Sequence, residues 1–135
     1  MKEDIIMLLE DLNRESQGEF IYMPIRDYVD KILCNATIIT IQEKKTLCGF
    51  IAFYNNDSVN KTSFLTMLAI NPSSQGTGLG RMLLYFSIDR LKNLGYRKYF
   101  LEVHKTNEKA ISLYKQVGFK ILDETVVKYK MVLEL

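Results

Sequence analysis

Tryptophan is absent from these 135 residues, and histidine, cysteine and proline are nearly so, at one, two and two. A structural zinc site takes four nitrogen or sulfur ligands, and neither Cys34 nor Cys48 stands in a CxxC or Cys/His grouping. A zinc enzyme and a Cys/His nucleophilic hydrolase are therefore not expected, no metal is assigned, and both cysteines read as reduced structural thiols. Also missing is any run of about 18 apolar residues, the length a membrane-crossing helix needs. The first residues, 1-MKEDIIMLLEDLN-13, are acidic and amphipathic rather than basic around an apolar centre. No signal peptide is expected from them, and the cytoplasm is the default location. The formal charge of +2 is close to neutral, with basic residues scattered among acidic ones. Without a basic stripe interleaved with aromatics, neither nucleic acid nor a membrane is expected as a partner.

What is present is the composition of an ordinary globular chain, 47% hydrophobic and 25% charged, which is enough to bury a core. The length suits one domain spanning residues 1–135. Ile5, Ile6, Leu8, Leu9 and Leu12 recur at helical spacing and predict a helix over 2–13. After the loop 14-RESQGEFIYMP-24, Tyr28, Val29, Ile32 and Leu33 share one face of a second helix over 26–36. The β-branched run 37-TIITIQE-43 and 46-TLCGFIAFY-54 flank a Lys44–Lys45 turn and read as a hairpin. The polar run 55–62 is a second turn, and 63-SFLTMLAI-70 a third strand. Leu83, Leu84, Phe86, Ile88 and Leu91 predict a buried stripe on a helix over 79–93, which Gly95 ends. A strand over 96–104, a helix over 107–118 capped by Asn107 and ended by Gly118, and strands over 119–125 and 126–135 complete the chain. The order α-α-β-β-β-α-β-α-β-β implies an α/β (α+β) fold: a mixed, mostly antiparallel sheet with helices on both faces.

The segment 71-NPSSQGTGLGRMLL-84 puts glycines at 76, 78 and 80 between a strand and a helix. A helix start leaves about four backbone N–H groups unpaired and carries about half a positive charge, so it suits an anion. Three phosphate-loop patterns compete. The P-loop G-x-x-x-x-G-K-[ST] fails, because Arg81 and Met82 follow Gly80. The dinucleotide pattern G-x-G-x-x-G needs a glycine where Arg81 stands, although Glu102 lies where that fingerprint wants an acidic residue. The upstream hairpins and the shortage of later β-α-β units argue against it. The third pattern, Q/R-x-x-G-x-G/A, is met by Gln75, Gly78 and Gly80.

With 101-LEV-103 and 107-NEKAISLYKQVGF-119 downstream, the chain resembles the GNAT superfamily of N-acetyltransferases from about Leu65 to Phe119, more loosely over 37–54, and not in detail before Pro24. The resemblance implies acetyl-coenzyme A as cosubstrate and an amine acceptor, either a small molecule such as an amino sugar or amino acid or a protein N-terminus, with a homodimer left open. It implies that the pyrophosphate lies on Gln75, Gly76, Thr77, Gly78, Leu79, Gly80 and Arg81. The backbone of Leu68, Ala69 and Ile70 would line the pantetheine arm, and Asn107 would touch the cofactor while capping its helix. It implies Tyr114 as the general acid toward the departing thiolate. Reference pKa values of about 10 for a phenol and about 8.5 for a thiol are close enough for transfer.

Freeing a lysine-type amine at pH 7 costs roughly 4–5 kcal/mol, against about 1 for an α-amine, so a base or a water leading to one is expected. Glu102 is the leading candidate, in a Glu-to-Tyr spacing that resembles the ribosomal-protein N-terminal acetyltransferases; His104, on the same strand face, is the alternative. By resemblance the acceptor wall falls on Phe20, Tyr22, Arg26, Tyr28 and His104. A first strand before the first helix is missing or very short. A non-catalytic acyl-coenzyme A sensor on the same fold is the rival from a different class, since a fold does not guarantee chemistry.

Overall fold

Apolar spacing at the N-terminus builds two helices that pack together on one side of the sheet. The computed structural model describes residues 1–15, 21 and 23–135. Helix α1 (Lys2–Glu15) buries Ile5, Ile6, Leu8 and Leu9, and α2 (Ile25–Asn35) buries Tyr28, Val29 and Ile32. Each fully buried Leu or Ile contributes about 1.5–3 kcal/mol, which is what holds two short helices down. No strand precedes α1 among the described residues.

Six strands follow: β1 (Thr37–Glu43), β2 (Thr46–Asp57), β3 (Thr62–Ile70), β4 (Lys98–His104), β5 (Lys120–Glu124) and β6 (Lys128–Glu134). Helix α3 (Leu79–Asn93) joins β3 to β4, and α4 (Glu108–Val117) joins β4 to β5. The sheet order is β1-β2-β3-β4-β6-β5. All neighbours are antiparallel except β3 and β4, whose connection through α3 makes them parallel. The mixed sheet is thus as expected, as are the helices on both faces. Helices α1 and α2 cover Phe50, Ala52 and Ala69. Helices α3 and α4 cover Phe53, Leu65, Tyr99 and Leu101.

Two local expectations need correction. Strand β2 runs to Asp57, which pairs with Thr62 beyond an irregularity at Asn55 and Asn56, so the turn starts later than expected; Thr37 donates its hydroxyl to Asn55 at 3.0 Å, which anchors that polar extension. On α3, Phe86 is 46% exposed and Ser87 takes its place in the buried stripe. Ser87 is satisfied there: its hydroxyl donates to the Leu84 carbonyl at 2.7 Å and accepts from Tyr99 at 3.0 Å. A hydroxyl with both its donor and its acceptor roles filled can be buried there at little cost.

The feature that positions the site is a bulge. Ala52 pairs with Met67 and Phe53 with Leu65, so Thr66 is the extra residue of β3. Thr66 and Met67 consequently face the same side, toward α1 and α2, whereas Leu65 and Leu68 face α3 and α4. Parallel pairing of β3 with β4 runs from Thr62 with Lys98 to Leu65 with Leu101 and stops there. From Thr66 onward the two strands part. Among the described residues no helix is long and apolar enough to cross a membrane.

Candidate active site

At the parted end, Leu68, Ala69 and Ile70 pair with Ile51, Phe50 and Gly49 of β2, and their other edge faces the gap. Their side chains are core: Ala69 packs under α1 and α2, Leu68 and Ile70 against the opposite cluster. The glycine segment is pinned to this strand end. Asn71 N–H donates to the Cys48 carbonyl at 2.7 Å, and Gln75 Nε2 donates to the Ile70 carbonyl at 3.2 Å. Between them, Asn71 caps a short turn over Pro72–Ser74, and the Thr77 hydroxyl donates to the Ser74 carbonyl.

Gly76 and Gly78 adopt φ of 77° and 85°, and a Cβ at either would meet nothing within 4 Å. Glycine is required there by the left-handed backbone, not by space. The first bond of α3 is Met82 N–H to the Gly78 carbonyl at 3.1 Å. The amides of Leu79, Gly80 and Arg81 precede it and point out of the positive end of the helix. Gly80 differs from its neighbours: it is helical, and a Cβ would lie 3.7 Å from Leu113, 3.9 Å from Ile70 and 4.0 Å from Leu68, which are ordinary contacts. Those three distances also show that the start of α3, the middle of α4 and the end of β3 converge at one place. In thermal unfolding, Gly80→Ala should hold or raise the midpoint, whereas Gly78→Ala should lose about 1–2 kcal/mol to the left-handed strain. Equal behaviour of the two would remove backbone conformation as the reason for the glycines.

Arg81 donates to Gln116 Oε1, which latches the start of α3 to α4. Asn107 is the N-cap of α4: its side chain accepts from Ala110 N–H at 3.2 Å, and its own N–H donates to the His104 carbonyl at 3.0 Å. Seven residues on, Tyr114 is 8% exposed and stands edge-on to Phe119 with ring centres 5.8 Å apart. Burial pushes its phenol up to about 12, so it is protonated throughout the neutral range.

Glu102 is exposed and alternates with buried Leu101 and Val103. It lies on the face of Phe100 and His104, cross-strand from Lys130, while Tyr114 belongs to the cluster on the opposite face. Beyond Leu65 and Leu101 no ladder joins β3 to β4. His104 ends β4 half-buried beside the cap of α4.

Of the expected acceptor-wall residues, Tyr28 is buried and its hydroxyl is 2.7 Å from Thr66 Oγ1, the bulge residue next to the gap. Its phenol is also pushed up to about 12 by burial. The Arg26 guanidinium meets both carboxylate oxygens of Glu3 at 3.3 and 3.4 Å, an exposed tie between α2 and α1 worth about 0–1 kcal/mol. Phe20 and Tyr22 lie outside the described residues. Sequence reasoning passed over Thr66, whose only signal is a hydroxyl inside an otherwise apolar strand, and Lys130, which nothing local distinguishes.

The sequence pattern of the acetyltransferase (GNAT) family matches residues 5–119. The chain belongs to the GNAT acetyltransferase family. The GNAT architecture recurs in solved structures. PaiA N-acetyltransferase from Thermoplasma acidophilum in complex with coenzyme A superposes with a TM-score of 0.80 at 22% identity, over 99% of this chain and 92% of that one. The ribosomal-protein-S18-alanine N-acetyltransferase of Escherichia coli gives 0.73 at 23%, over 84% and 78%. In sequence, the bS18-alanine N-acetyltransferase of Salmonella typhimurium is 41% identical over 68 residues, which are 50% of this chain and 46% of that protein. The chain thus aligns with about half the length of this curated relative.

Proposed function

We propose that residues 1–135 form one N-acetyltransferase domain that moves an acetyl group from acetyl-coenzyme A to a primary amine, in the cytoplasm. The observation that carries this reading is the convergence at one strand end: β3 and β4 part after Leu65 and Leu101, beside a left-handed glycine turn and with the buried Tyr114 behind. A diphosphate suits the turn, because amides 79–81 and the helix dipole offer donors with no Cβ at Gly76 or Gly78 to hold it off. The open edge of Leu68–Ile70 offers backbone groups to an amide-bearing arm, and N–H groups of that strand would polarise the thioester carbonyl.

When bound, acetyl-coenzyme A supplies an activated acyl group with a thiolate leaving group. Glu102, or a water held by it, takes a proton from the attacking amine on one face of the sheet, and Tyr114 gives one to the leaving sulfur from the other. A phenol near 12 is a weaker acid than a free thiol by about 3–4 units, roughly 5 kcal/mol. The same dry surroundings raise the pKa of a thiolate released into them, so the proton moves as the carbon–sulfur bond breaks and not before.

For the acceptor, similarity to bS18-alanine N-acetyltransferase supports the α-amine of a peptide or protein N-terminus. Such an amine needs only about 1 kcal/mol to lose its proton at pH 7, which suits a base as solvent-exposed as Glu102. Thermal unfolding tests the cofactor half: acetyl-coenzyme A at 100 times its Kd should stabilise the protein by about 2.7 kcal/mol. No shift at millimolar cofactor would end the proposal, and binding without turnover on any amine would favour a sensor.

A further inference from the structure

Strands β3 and β4 make their last pair at Leu65 and Leu101, so the next residue of each, Thr66 and Glu102, begins the two banks of the opening. Both side chains lie on one side of the sheet. Thr66 turns toward α2, where it meets Tyr28, and Glu102 alternates with Leu101 and Val103, which are buried on the α3–α4 side. Thr66 is half-buried, and its Oγ1 has one hydrogen-bond partner among the described residues, the Tyr28 hydroxyl at 2.7 Å. Of the two hydroxyls the phenol is the stronger acid, and burial keeps it protonated, so Tyr28 donates and Thr66 accepts. Thr66 then keeps one lone pair and its own O–H for a further partner. Spare hydrogen-bonding capacity extends to Tyr54, a diagonal cross-strand neighbour of Thr66, whose hydroxyl is buried with no partner among the described residues.

Adjacent strands run about 4.8 Å apart. A neutral primary amine has two N–H groups, and two N–H···O bonds of about 2.9 Å at a tetrahedral angle hold their acceptors about 5 Å apart. One nitrogen therefore fits between the Thr66 and Glu102 banks, with its lone pair directed away from both, toward the acyl carbon. A neutral secondary amine has a single N–H. If Glu102 takes it, the second alkyl group faces the Thr66 hydroxyl and leaves that group unpaired.

We propose that Thr66 Oγ1, held by Tyr28, accepts the second N–H of the attacking amine opposite Glu102 and thereby selects primary over secondary amines. This rests on the acetyltransferase reading, with Glu102 on the acceptor face. The test takes Ala-Ala-Ala amide, glucosamine and benzylamine, each beside its N-methyl form, and measures kcat/KM in the wild type, Thr66→Ser, Thr66→Val and Tyr28→Phe. For every probe acetylated, the wild type should favour the primary form by at least about tenfold. Thr66→Val, which keeps the shape and removes the hydroxyl, should bring that ratio down about tenfold, and Thr66→Ser should keep it. Tyr28→Phe, which frees Thr66 to turn, should lower the ratio less, and it carries the test should Thr66→Val fail to fold. A hydroxyl pair that only fastens α2 to β3 would lower the melting temperature of Thr66→Val and Tyr28→Phe and leave the ratio as it is, which overturns the proposal. Equal wild-type rates on primary and N-methyl forms would overturn it while leaving the acetyltransferase reading intact; acetylation of none of the probes would remove both.

Discussion

Tyr114→Phe is expected to lower kcat by about 10²–10³-fold, the range in which a positioned general acid contributes, with KM for acetyl-coenzyme A changed little. The substitution keeps the ring and its edge contact with Phe119, and no hydrogen bond holds the hydroxyl among the described residues. The fold should therefore tolerate it, and circular dichroism with a thermal melt should match the wild type. The pH profile gives an independent check. A phenol held up at about 12 stays in its acid form as pH rises through the usual phenol range near 10. The wild type should then show no alkaline fall in kcat below about pH 11 that Tyr114→Phe removes. An unchanged kcat in the variant would take Tyr114 out of the mechanism, and the buried ring would be core alone.

Glu102→Gln is expected to lower kcat/KM at pH 7 by about 10²-fold, and the loss should shrink as pH rises. The sign follows from the acceptor. Below its pKa the amine is mostly ammonium and needs a base, whereas above about pH 8 an α-amine is already free. Glu102 is exposed on β4 and cross-strand from Lys130, so the substitution removes charge without opening a cavity, and stability should not move. A pH-independent loss would mean that Glu102 positions the acceptor and does not take its proton. No loss would turn attention to His104, two residues along the same face.

Much of this architecture was legible locally. The stripes Ile5–Leu9 and Ile111–Tyr114 are set by which side chains face one way at 3.6 residues per turn, and they are buried as that period requires. Gly95 and Gly118 end their helices with φ of 81° and 122°, as the cost of a left-handed turn for other residues dictates. Asn107 caps α4 because a short oxygen-bearing side chain satisfies a free amide there. Where local reading failed, a partner from elsewhere in the chain had intervened. Ser87 is buried because Tyr99, twelve residues on, donates to it. Nor does any local spacing announce that Arg26 meets Glu3 of α1 or that Arg81 meets Gln116 of α4.

Sequence alone determined the elements, their order, the left-handed glycine turn at the head of α3 and the tyrosine seven residues past a cap. These depend on backbone preference and side-chain period within a few residues. Only tertiary structure decided that β3 and β4 pair for four residues and then part. It also decided that Glu102 and Tyr114 occupy opposite faces of the sheet, and that Tyr54, Phe64 and Phe100 are neighbours on three strands. Each of these follows from register. A single extra residue, Thr66, shifts the phase of β3 against β2, and which strand edge is left open depends on what every neighbouring strand has already paired.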